Sequence, residues 1–113
     1  MANETEHKLL RLVERLTDRT EAGEGHWERT TLDNAFQMAF ANYVVRVSTR
    51  DNDYFVAIKD ESGTTIERAS DSEINSAIPG AQPYVKMKRL YDLARRQAFG
   101  VDDALDSLLN DLG

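Results

Sequence analysis

At 113 residues, with 41% hydrophobic and 30% charged side chains, the chain has the size and balance of one globular domain spanning 1–113, not of a disordered segment. It has no cysteine, which excludes disulfides, thiolate metal sites and cysteine nucleophiles and fits a reducing compartment. A net charge of −6 speaks against non-specific nucleic-acid binding through overall charge, and no apolar run approaches the roughly 18 residues of a membrane span.

The chain opens on Ala2-Asn3-Glu4-Thr5-Glu6, acidic and polar, unlike a secretory signal or transit peptide. Asn3 followed by Glu6 has capping-box spacing and predicts a helix start. Leu9, Leu12, Val13 and Leu16 then fall on one helical face, with Glu4 and Lys8 as an i,i+4 pair. Gly23 and Gly25 are expected to end this helix, since glycine readily takes the left-handed conformation of a helix terminus.

After Trp27 the hydrophobic period changes to two. Phe36, Met38 and Phe40, then Tyr43, Val45 and Val47, then Tyr54, Val56 and Ile58 alternate with their neighbours, as in half-buried antiparallel strands. Ala41-Asn42, Asp51-Asn52-Asp53 and Asp60-Glu61-Ser62-Gly63 supply the turns. A last strand from Thr64 to Arg68 is expected to point Ile66 inward. The pattern predicts a four-stranded meander, with an extra edge strand around His26 to Thr30 as a fifth.

The remainder reads as helical. Ser70 and Glu73 repeat the capping-box spacing, and Pro79-Gly80 stops the helix they begin. Pro83 suits the first position of the next helix, whose inner face carries Tyr84, Met87, Leu90, Tyr91, Ala94 and Ala98 and which ends at Gly100. A final amphipathic helix carries Val101, Ala104, Leu105, Leu108 and Leu112. Between Tyr84 and Phe99 stand five bases and one acid; between Val101 and Gly113 stand four acids and no base. A helix of about twelve residues is marginal alone in water, and four buried leucine-class side chains contribute roughly 6–12 kcal/mol at most. The tail is therefore expected to dock: on its own sheet or basic helix, on a second copy, or on a different protein.

Few motifs suggest chemistry. His7 has the setting of an ordinary solvated residue, and His26, beside Trp27 and Glu28, is a lone histidine in a Gly-rich loop, a weak general-base candidate. Ser62, Ser70 and Ser107 lack a nucleophile-elbow setting. Asp51-Asn52-Asp53 begins like a calcium loop, but Val56 and Ser62 stand where glycine and glutamate are required. Gly23-Glu24-Gly25 follows a helix and has no third glycine, so it is not a dinucleotide fingerprint. No catalytic residue, metal ligand or cofactor is assigned. Trp27 reads either as a core anchor between sheet and first helix or as an exposed interaction hot spot. Lys86, Arg89 and Arg96 share one side of the basic helix, with Lys88 and Arg95 beside them, and Phe55 lies between Arg46 and Lys59 on the presumed outer sheet face; both arrangements suit phosphate and base contacts.

The Thr20-Glu21-Ala22-Gly23 helix end, the Trp27-Glu28 strand, the Phe36-to-Ile66 meander and the ending from Leu90-Tyr91-Asp92-Leu93-Ala94-Arg95-Arg96 to Asp102-Asp103-Ala104-Leu105-Asp106 resemble a family of small bacterial α+β proteins. The resemblance implies the fold and a bacterial, cytoplasmic setting, and brings no activity or site residue with it. The expected architecture is α+β: helix, antiparallel meander, then two to three helices. The expected function is a non-enzymatic protein-interaction or regulatory module, with Trp27, Leu105, Leu108 and Leu112 as contact candidates and a protein partner or homo-oligomer as its counterpart. The alternative is a nucleic-acid-associated factor using Lys86, Arg89, Arg95 and Arg96; a small-molecule-binding domain or an enzyme without a recognisable motif comes third.

Overall fold

The computed structural model describes residues 3–113. Helix α1 (Glu4–Glu21) is followed by strands β1 (Glu28–Arg29), β2 (Ala35–Ala39), β3 (Tyr43–Arg50), β4 (Asp53–Asp60) and β5 (Thr65–Ser70). Helices α2 (Asp71–Ala77), α3 (Pro83–Phe99) and α4 (Val101–Leu112) complete this α+β architecture. All strand pairs are antiparallel and lie in chain order, so the meander has five strands, and the edge strand after Trp27 is part of it.

Helix α1 starts without the expected capping box: Asn3 makes no side-chain cap hydrogen bond. Its end is better determined. Gly23 takes φ +78°, the Glu24 amide donates to Arg19 O at 2.8 Å and the Gly23 amide to Thr20 O at 3.1 Å, the paired bonds of a Schellman termination. Leu9, Leu10, Val13 and Leu16 are buried, and Leu12 packs at the margin of the core. The β3–β4 connection is a two-residue hairpin in which Asp51 and Asn52 both have positive φ, a conformation short polar side chains tolerate. In the β4–β5 loop the Asp60 carboxylate accepts from the Ser62 and Thr64 amides, both at 2.9 Å.

Register puts Phe36, Val47, Val56 and Ala69 in one cross-strand row, and all four are buried. Against this face lie Leu9, Val13 and Leu16 of α1, Ile74 of α2, and Met87, Leu90, Tyr91 and Ala94 of α3. The α3–sheet seam is a run of edge-to-face and tilted rings, with Tyr84 on Tyr54, Tyr54 on Tyr91, Tyr91 on Phe36 and Phe36 on Phe99, at centroid separations of 5.4–5.6 Å. The Ser70–Glu73 capping box is present in both directions. Beside it, buried Asp71 accepts the Tyr54 amide at 2.7 Å and ties the start of α2 to β4.

Two expectations are corrected. Ile66 does not point into the core: it is 53% exposed, because the β4–β5 register shifts at Ile58/Lys59 and the core position of β5 falls to Ala69. The tail does not dock on its own chain: α4 contains no buried residue. Gly100, at φ +62°, ends α3 and redirects the backbone straight into α4, which then leaves the core.

Candidate interaction surfaces

Among the described residues, helix α4 presents a continuous apolar surface with no partner. Leu105, Leu108, Leu109 and Leu112 stand at i, i+3, i+4 and i+7, so their side chains form one stripe, and they are 49%, 58%, 66% and 84% exposed. Asp102 and Asp103 sit in the first turn, where carboxylates suit the helix dipole, and Asp106 follows one turn on. An ion pair between Arg96 and Asp102 is the one salt bridge joining α4 to the rest of the described chain. Leu105, Leu108 and Leu112 thus stand together on one accessible surface.

Trp27 stands apart from them. It is 1% exposed, its indole N–H donates to Thr20 Oγ1 at 2.9 Å, and its backbone amide donates to Gln97 Oε1 at 2.6 Å. It anchors β1 between α1 and α3, and of its two sequence readings the exposed hot spot is withdrawn.

The basic residues of α3 are largely engaged within the chain. Lys86 pairs with Glu14 at 3.0 Å, Lys88 with Asp92 at 2.8 Å and Arg89 with Glu21 at 2.5 Å, while Arg96 meets Asp102. The Asp92 carboxylate, hydrogen-bonded to the Lys88 ammonium, raises the lysine pKa above its ordinary value. The Arg95 guanidinium lies over the Phe99 ring at 5.3 Å, and Arg29 stacks on the same ring at 4.5 Å. These exposed ion pairs contribute little to stability. They do interleave carboxylates from α1, α3 and α4 among the bases, so no bare cationic stripe remains on α3.

A more cationic surface lies on the sheet. The core row leaves the alternate row, Gln37, Arg46, Ala57 and Arg68, on the opposite face, together with Phe55 and Lys59. The helix residues of the core all meet the Phe36–Ala69 side, so this second face has no helix over it. The Arg68 guanidinium stacks on Phe55 at 4.4 Å. Arg46 Nη2 reaches Gln37 Oε1 at 3.4 Å, while Arg46 Nε is buried without a hydrogen-bond partner. Sequence reasoning placed Phe55 between Arg46 and Lys59 but missed Arg68, whose position depends on the β4–β5 register.

His7 and His26 are both exposed. Among the described residues no group of three or more His, Asp or Glu side chains stands where it would hold one metal ion. A depression of about 380 Å³ between α1, α3 and the start of α4 is lined by Thr20, Arg96, Gln97 and Asp102, whose polar groups already bond to Leu16, Trp27 and each other. Among the described residues no helix is long and apolar enough to cross a membrane. No family model, curated protein or solved structure matches the chain.

Proposed function

We propose that this chain is a non-enzymatic interaction or regulatory module of the cytoplasm that docks another protein chain through α4. The observation that carries the reading is the leucine stripe. A helix of about twelve residues has little stability of its own in water, and four leucines on one face favour burial by roughly 6–12 kcal/mol at most. Within the chain no residue of α4 is buried, and these leucines stay 49–84% exposed. An exposed apolar patch rimmed by charge is the usual mark of a docking surface.

A nucleic-acid reading through Lys86, Arg89, Arg95 and Arg96 has weaker support. Three of these bases already face a carboxylate and the fourth an aromatic ring, and the chain carries a net −6. The two readings separate in one experiment: a tagged pull-down from native lysate, with and without nuclease, with Leu105→Asp as parallel bait. Leu105 is half exposed and outside the core, so the variant is expected to fold. The docking reading expects a stoichiometric protein, another copy included, that survives nuclease and is lost with Leu105→Asp. Recovery of nucleic acid, abolished by nuclease and by high salt and unaffected by Leu105→Asp, would replace it.

A further inference from the structure

We infer that the partner of α4 is a second copy of this chain, and that α4 of each copy seats on the open sheet face of the other. The inference rests on the docking reading above and names its occupant. The molecule carries both halves of a complementary pair. Helix α4 presents a leucine stripe with Asp102 and Asp106 along one side and Asp111 along the other, and no base anywhere from 101 to 113. The open sheet face presents Arg46, Lys59 and Arg68 around Phe55 and Ala57. The carboxylates nearest in register, Glu28 on β1 and Asp53 at the head of β4, stand at its margins.

Arg46 adds a separate indication. Its guanidinium Nη2 makes a long bond of 3.4 Å to Gln37 Oε1, which leaves the fork's outer N–H groups able to take an incoming carboxylate. Dimensions agree as well. Twelve helical residues span about 18 Å, and four inter-strand spacings from β1 to β5 span about 19 Å.

One chain cannot make this contact with itself. Helix α4 follows α3 after the single residue Gly100, and α3 packs on the opposite side of the sheet. A tail-to-tail dimer would bring the acids of both tails together, whereas tail-on-face sets acid against base. Reciprocal exchange repeats the same contact twice and closes at two copies.

The test uses the full chain and three forms of it. Wild type is expected to show twice the 12.8 kDa chain mass by light scattering and native mass spectrometry, with a dissociation constant that dilution defines. Leu105→Asp/Leu108→Asp, which spoils the tail, and Lys59→Glu/Arg68→Glu, which spoils the face, are each expected to be monomeric. Mixed, they retain one intact tail and one intact face and are expected to form a 1:1 heterodimer. The milder Lys59→Gln/Arg68→Gln should weaken the wild-type dimer by roughly tenfold or more, which guards against misfolding of the charge reversal. A wild type that stays monomeric at every concentration overturns the inference; α4-dependent capture of a different protein would then leave the docking reading standing. A dimer that survives both face variants but not the tail variant means tail-to-tail pairing and overturns it too. So does open-ended growth beyond two copies.

Discussion

The Thr20 hydroxyl makes two buried hydrogen bonds at once, donating to Leu16 O at 2.7 Å and accepting the Trp27 indole N–H at 2.9 Å. Replacing it with the isosteric valine leaves that N–H unpaired in the core, which costs about 1–3 kcal/mol. Thr20→Val should lower the urea midpoint accordingly, followed through the fluorescence of the single tryptophan. Tyr91 governs a different property. Burial pushes its phenol above the ordinary tyrosine pKa, with Tyr54 and Asp92 adding to the shift and Arg95 opposing it. A pKa raised in the folded state means that the folded chain holds its proton longer than the unfolded chain. The resulting stability is therefore complete below about pH 10 and is lost as pH climbs through the folded value. Tyr91→Phe should flatten this alkaline decline in thermal melts. An unchanged alkaline slope would show that Tyr91 is not its source.

Elements differ in how far local sequence determines them. Ser70 and Glu73 share their spacing with Asn3 and Glu6, yet only the first pair closes a capping box. At Ser70 the incoming strand is held by the sheet, and Asp71 fixes the first turn to β4. Ser70→Ala should cost about 0.5–2 kcal/mol in unfolding free energy, and Asn3→Ala much less. The meander was legible because alternation and turn residues agree on β2, β3 and β4. Ile66 was not, because a bulge is a property of two paired strands and leaves no mark on one of them. The tail was legible as an amphipathic helix; that its leucines pass over their own core was not, since only the direction of the chain after Gly100 decides it. Without burial, α4 should exchange its amide hydrogens far faster than α3 in the monomeric tail variant. Protection of 104–112 equal to that of Met87–Ala94 in that variant would contradict its exposed placement.

At the scale of the molecule, α4 changes shape more than stability. A compact chain of 113 residues has a radius of gyration of about 13 Å, whereas this one has 15.2 Å and a long axis of 58 Å against 34 and 27 Å. Residues that stand clear of the core contribute little to its unfolding free energy. Leu90, 1% exposed beneath the sheet, and Leu105, 49% exposed on α4, are the same side chain in opposite circumstances. Leu90→Ala removes packing on all sides and should cost about 2–5 kcal/mol in unfolding free energy. Leu105→Asp should leave the monomer's unfolding free energy within about 0.5 kcal/mol of wild type, while abolishing self-association. Comparing the two by urea denaturation at protein concentrations below the dimer's dissociation constant keeps mass action out of the measurement. If Leu105→Asp there destabilised the chain as much as Leu90→Ala, α4 would be part of the monomer's own core, and its leucines would no longer be free for a partner.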